Sequence, residues 1–152
     1  MNEIPDDKLN LKCWEIADSC LLSSLRLVTR AVTKIYDDAM RPLGLRGTQF
    51  NLLAATFLMG PVPISKLAEV LVMDRTTLTR NLSLLEKQGM IDISPGKDQR
   101  TRAATVTDSG KHVLKEAIPL WEKAQQQVTV KLGKNRTKSM LADLKTAARY
   151  IV

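Results

Sequence analysis

Apolar residues recur at helical spacing along most of the chain, and the places where that spacing breaks divide it into elements. The stretch from Leu11 to Met40 contains neither proline nor glycine. Its apolar positions on one face are Leu21, Leu25, Val28, Val32, Ile35 and Ala39. The pattern predicts one helix of roughly eight turns, which Pro42 and Gly44 end. A helix this long needs a partner to cover its apolar stripe.

Three shorter helices are predicted next. The first covers about residues 47–59, before a Gly-Pro pair. The second covers about 65–72 with Ser65 as its N-cap, and the third covers about 74–88 with Asp74 as its N-cap. A glycine directly after the third helix is a typical stop signal.

The period changes to two after this glycine, which indicates strands. Ile91 and Ile93 alternate with polar residues over 90–94, and a second strand is expected over 102–106. The turn between them has the sequence PGKDQR, so the hairpin has a basic tip.

Two further helices complete the chain. Thr107 or Asp108 is expected to cap the first, which reaches about Lys131 and is kinked or broken at Pro119. The second covers about 137–151.

This order of elements predicts a mainly α-helical fold with a small β-hairpin wing. Three helices followed by a hairpin form a winged helix-turn-helix, and the outer helices are free to dimerise. We therefore predict a single compact subunit with an N-terminal dimerisation helix (1–42), a winged helix-turn-helix lobe (43–107) and C-terminal dimerisation helices (108–152).

Composition narrows the class of partner. The formal net charge of +7 favours a polyanion such as nucleic acid. The few aromatic residues argue against single-strand binders that stack bases. Two cysteines and one histidine give neither a disulfide framework nor a zinc site, so no metal or cofactor is expected. The sequence contains no secretory signal, membrane span or nucleotide-binding or hydrolase motif, so a cytoplasmic protein that is not an enzyme is expected.

The predicted 74–88 helix has two chemically different faces. Leu78, Leu82 and Leu85 share one side, and Thr and Arg residues occupy the other. Threonine is unfavourable in a helix that is selected for stability alone. However, its methyl and hydroxyl groups suit thymine and phosphate, and arginine suits guanine edges. The residues of this helix that we predict to contact DNA are Arg75, Thr76, Thr77, Thr79, Arg80, Ser83 and Lys87. Ser65, at the start of the preceding helix, is predicted to contact DNA as well.

The hairpin adds Lys97, Arg100 and Arg102 to the predicted DNA contacts. Arg100 is the residue that we expect to enter the minor groove. Asp98 is expected to orient a neighbouring arginine, because phosphate would repel its carboxylate.

Three segments resemble successive blocks of the MarR family of bacterial regulators, in family order and spacing. They are LGLRGTQFNLL (43–53), ISKLAEVLVMDRTTLTRNLSLLEKQGMI (64–91) and DQRTRAATVTDSGK (98–111). The resemblance implies a homodimer held by the first and last helices, with recognition through the fourth helix and a D-x-R wing. Arg46 departs from the family, which commonly has Thr or Ser as the cap there, so that cap must come from elsewhere.

Two subunits would place recognition helices roughly 34 Å apart on a palindrome of roughly 16 to 20 base pairs. The resemblance further implies a repressor relieved by a small effector, often an aromatic acid, in a cleft beside the dimerisation helices. Trp14, Tyr36, Phe57 and Trp121 either line that cleft or pack in the core.

Two alternatives keep the same fold. In a thiol- or peroxide-sensing regulator, Cys13 or Cys20 would be reactive, although the family's sensing position aligns with Leu22 here. The other alternative is a winged-helix interaction module that reads no DNA.

Overall fold

The computed structural model describes residues 5–96 and 101–151. The chain forms two units, residues 1–34 and residues 35–152. The helices are α1 (Asp6–Ser19), α2 (Leu21–Met40), α3 (Gly47–Met59), α4 (Ile64–Leu71), α5 (Arg75–Lys87), α6 (Asp108–Leu132) and α7 (Lys134–Ile151). The strands are β1 (Val62–Pro63), β2 (Ile91–Pro95) and β3 (Arg102–Val106). The mainly α-helical fold with a β-hairpin is therefore confirmed.

The single long N-terminal helix was wrong, because the structure has two helices with a break at Cys20. The backbone of Cys20 is extended (φ −72°, ψ 107°). The hydroxyl of Ser19 donates to the carbonyl of Glu15 (2.6 Å), and that of Ser24 donates to the carbonyl of Cys20 (3.2 Å). The amides of Cys20 and Ser24 still donate to the carbonyls of Ile16 (3.0 Å) and Cys20 (3.1 Å), so the break is confined to the extended conformation of Cys20.

The larger unit has one apolar core, to which α3, α4, α5 and α6 and the sheet contribute. Leu53, Leu67, Leu78 and Ala104 are completely buried in it. The sheet order is β1-β3-β2, and both pairings are antiparallel. The predicted hairpin pairs Ile91 with Val106, as its alternation requires.

The third strand, β1, was not predicted. It pairs Val62 with Ala104 and Pro63 with Ala103. This pairing also corrects the predicted start of the next helix. Ser65 is not the N-cap, because α4 begins at Ile64 after Pro63, and no side chain caps it. The fixed φ of proline leads directly from the strand into the helix.

The two C-terminal helices also differ from expectation. α6 runs through Pro119 without interruption, so the predicted break was wrong, while a kink at Pro119 stays a prediction. α7 begins at Lys134, three residues earlier than expected, directly after Gly133. The cap of α6 was predicted as Thr107 or Asp108, and the structure selects Thr107.

Thr107 joins the turn after α5 to the start of α6. Its hydroxyl accepts from the amide of Gly110 (3.0 Å) and donates to the carbonyl of Gly89 (2.6 Å). Its amide donates to the carbonyl of Met90 (3.1 Å).

We expect Thr107→Ala to lower the free energy of unfolding by about 1–2 kcal/mol, because both hydroxyl bonds are lost. Thr107→Ser keeps the hydroxyl and is the matched control. Urea unfolding followed by circular dichroism at equal protein concentration measures the difference. Equal stability of the alanine and serine variants would contradict the capping role.

Candidate nucleic-acid interface

The start of α5 is fixed by Asp74, as the sequence predicts. Its carboxylate accepts from the amide of Thr77 at 2.8 Å. Hydrogen bonds from the hydroxyl and then the amide of Thr77 lower the pKa of Asp74. The carboxylate is therefore charged at neutral pH, and the cap is lost only as pH falls through this lowered pKa. This carboxylate stabilises the positive end of the helix dipole. It forms no ion pair with the adjacent Arg75.

The two faces of α5 are those predicted. Leu78, Leu82 and Leu85 are completely buried. The predicted contact residues on the other face are exposed, apart from Ser83, which is half-buried. Among the ion pairs between described residues, none involves Arg75, Arg80 or Lys87. α5 thus combines an anchored leucine stripe with an open cationic face.

The turn between α4 and α5 sets how the two helices join. Val72 there is left-handed (φ 51°, ψ 44°) and 63% exposed. A β-branched residue is strained in this region.

We expect Val72→Gly to raise the free energy of unfolding by about 1 kcal/mol, because glycine adopts this conformation without strain. Val70 is a matched control, since it is an exposed valine inside α4. Val70→Gly should lower stability by about 0.5 kcal/mol. Chemical denaturation of both variants tests this, and a loss of stability in both would contradict the strained turn.

The hairpin lies beside this helix pair. The amide of Gly96 donates to the carbonyl of Thr101 (2.7 Å), which closes the base of the turn. Arg102 is exposed and its guanidinium donates to the carbonyl of Ile93 (3.5 Å). The predicted tip residues Lys97, Asp98 and Arg100 lie outside the described residues.

Comparison with known proteins decides the family. The MarR family model matches residues 45–101. The M. tuberculosis transcriptional regulator MosR, crystallised in complex with DNA, is 35% identical, with 87% of this chain and 98% of that chain covered and a TM-score of 0.74. The chain belongs to the MarR family.

Two more distant matches cover most of this chain. An uncharacterized HTH-type transcriptional regulator of Bacillus subtilis (strain 168), YwaE, is 25% identical over 97% of this chain and 85% of its own length. A mutant MarR from E. coli, complexed with operator DNA, is 21% identical, covers 87% of this chain and 96% of its own, and has a TM-score of 0.79. This MarR-family protein is a winged-helix transcriptional regulator and not an enzyme.

The family's usual cap of α3 is replaced in this MarR-family protein by two other side chains. The carboxylate of Asp37 accepts from the amide of Gly47 (2.8 Å). The side chain of Gln49 accepts from the amide of Arg46 (2.9 Å). Sequence reasoning required a cap from elsewhere but did not identify these residues, because Asp37 reaches α3 only through the fold.

The four aromatic candidates for an effector cleft differ in their surroundings. Phe57 is 49% exposed and lines an apolar groove of about 440 Å³ between α3 and α6. Neither Tyr36 nor Trp121 is among the groove's described lining residues. The hydroxyl of Tyr36 donates to Gln125, and burial raises the pKa of Tyr36. Trp14 lies in the other unit and is 71% exposed.

Both cysteines are free thiols. Cys13 is exposed, and Cys20 lies at the break before α2. Hydrogen bonds from the side chain and backbone of Ser23 lower the pKa of the Cys20 thiol. Whether either cysteine has a redox role stays a prediction. No helix in 5–96 or 101–151 has the length and apolar character to cross a bilayer.

Proposed function

We propose that this protein is a homodimer that binds double-stranded DNA at a palindromic operator and represses transcription until a small effector releases it. The observation that carries the proposal is the open Thr/Arg face of α5, opposite a completely buried leucine stripe. The DNA complexes of MosR and of the mutant E. coli MarR support the same use of the fold here.

The proposed contacts fall into two groups. On α5, Arg80 reads base edges, while Thr76, Thr77, Thr79, Ser83 and Lys87 contact bases or phosphates. Ser65 and Arg75, at the starts of α4 and α5, add contacts to the phosphates of the DNA backbone. On the wing, Lys97, Arg100 and Arg102 approach the adjacent minor groove, and Asp98 orients an arginine.

The proposed dimer interface uses residues 1–42 and 108–152 on either side of the DNA-binding lobe (43–107). α2 exposes Leu21, Leu22 and Leu27 by more than half, and α7 exposes Tyr150 by 87% and Ile151 by 76%. Isolated subunits seldom leave so much apolar surface on two helices, and a two-fold interface covers it.

Hydroxyl-radical footprinting on the protein's own promoter tests the proposal. Two recognition helices in one dimer should protect two stretches about 10–10.5 base pairs apart, centre to centre. Sedimentation of the same sample establishes the dimer independently. A dimer that protects no stretch would favour the interaction module that reads no DNA.

For the effector, the groove beside Phe57 is the candidate site. Its apolar wall suits an aromatic ring, and Lys115 in its lining suits a carboxylate, whereas Lys111 pairs with Asp108 (2.8 Å). Release of the promoter duplex by an aromatic acid, lost in Phe57→Ser and kept in Leu84→Ser, would support this site. Leu84 is an exposed leucine outside the groove.

A further inference from the structure

A small cleft lies where α4, α5 and the base of the wing meet. Its volume is about 230 Å³, and it is lined by Ile64, Ser65, Arg75, Thr79, Thr101 and Arg102. Two of these side chains are guanidinium groups, three carry hydroxyl groups, and none of them is acidic. Arg75 and Thr79 are one helical turn apart on α5, so both side chains lie on the same side of that helix.

The charge of the cleft is not balanced by nearby described groups. The carboxylate of Asp74, the residue before Arg75, accepts a hydrogen bond from the amide of Thr77. No ion pair between residues of 5–96 and 101–151 includes Arg75 or Arg102. The bond from Arg102 to the carbonyl of Ile93 (3.5 Å) uses only one of its five donors.

The size of the cleft indicates a small ligand. At about 230 Å³, it is smaller than the roughly 300 Å³ at which pockets for drug-sized molecules begin. Guanidinium and hydroxyl donors around such a space match a tetrahedral oxyanion. The first turn of α4, which no side chain caps, contributes Ile64 and Ser65 to the wall.

We propose that this cleft holds one phosphate group, shared by Arg75 and Arg102 and bonded by the hydroxyls of Ser65 and Thr79. The inference rests on the proposed DNA binding when the phosphate belongs to the operator backbone. Because one phosphate would touch both α5 and the wing, it would fix the recognition helix and the hairpin in one register on the duplex.

The DNA arm of the test measures how affinity for a promoter duplex depends on salt. Each neutralised phosphate adds about 0.9 to the slope of log K against log salt. If Arg75 and Arg102 share one phosphate, the Arg75→Gln/Arg102→Gln double variant should lose about 0.9 in slope and not about twice that. Arg136→Gln, an exposed arginine on α7, is the matched control and should keep the wild-type slope.

The second arm uses inorganic phosphate without DNA. Amide signals of Ser65, Thr79 and Arg102 in ¹⁵N-labelled protein are followed during titration with sodium phosphate, against sodium chloride at equal ionic strength. Saturable shifts that disappear in the double variant support the site even if the protein binds no DNA, so this arm separates the cleft from the proposed function.

The outcomes assign the source of the phosphate. If the salt slope falls by about 0.9 in the double variant, with or without amide shifts, the phosphate belongs to the DNA backbone. Shifts with an unchanged slope indicate a free phosphate. An unchanged slope without saturable shifts, or a slope loss of two phosphates, would overturn the shared site.

Discussion

In the Gly110→Ala variant we expect the free energy of unfolding to fall by about 3 kcal/mol or more. A Cβ atom at Gly110 would lie 2.1 Å from the carbonyl oxygen of Met90 and 2.8 Å from a methyl carbon of Val106. The first of these neighbours is backbone and cannot rotate away, so α6 or the chain at Met90 would have to shift.

Helix propensity alone predicts the opposite sign for this substitution. Alanine is more favourable than glycine by about 1 kcal/mol inside a helix, and Gly110 lies in the first turn of α6. Ser109→Ala is the control, because Ser109 is the exposed neighbour in the same turn. Thermal and urea unfolding of both variants at equal protein concentration measure the difference. A Gly110→Ala protein as stable as wild type would contradict the close packing of α6 against Met90 and Val106.

The need for glycine at position 110 could not be predicted from the sequence, because Met90 and Val106 approach it only in the fold. Elements with a local signal were predicted closely: the bounds of α3, the Asp74 cap, and the stripe of Leu78, Leu82 and Leu85, whose spacing follows the helical period. β2 was predicted for a similar reason, since Ile91 and Ile93 alternate with polar residues in the sequence.

The features that the sequence did not predict either depend on residues far along the chain or have no clear local signal. β1 is two residues long and exists because Val62 pairs with Ala104, far along the chain. The break at Cys20 is an extended conformation of one residue, and neither proline nor glycine marks it in the sequence. Pro119 is tolerated within α6, although a proline signals a break in an isolated helix.

The candidate site likewise has a part that the sequence predicts and a part that only the fold creates. The exposure of Arg75, Thr76, Thr79 and Arg80 was predictable, because it is the complement of the leucine stripe. The cleft that brings Ser65 and Arg102 to α5 was not predictable, since it forms only when three elements meet.

The second large effect concerns base recognition. We expect Arg80→Ala to reduce the preference for the operator over random DNA by about 10-fold or more, because a bidentate contact to a guanine edge is lost. Arg80 is exposed in the middle of α5 and pairs with no carboxylate among the described residues.

Two other arginine variants separate base reading from general charge. Arg100→Ala should weaken binding to all duplexes and flatten its salt dependence, as expected for a wing contact. Arg136→Ala removes the same charge from α7 and should leave the preference unchanged. Affinities for operator and random duplexes at two salt concentrations distinguish the three variants. An Arg80→Ala protein that loses affinity equally for both duplexes would assign Arg80 to phosphate contact.

We expect the open face of α5 to read DNA sequence. Fluorescence anisotropy with a labelled duplex from the protein's own promoter, against a random duplex of equal length at about physiological salt, tests it most directly. We predict that the promoter duplex binds about 10³-fold more tightly or better, as specific regulators do. Equal affinity for the two duplexes would contradict the claim.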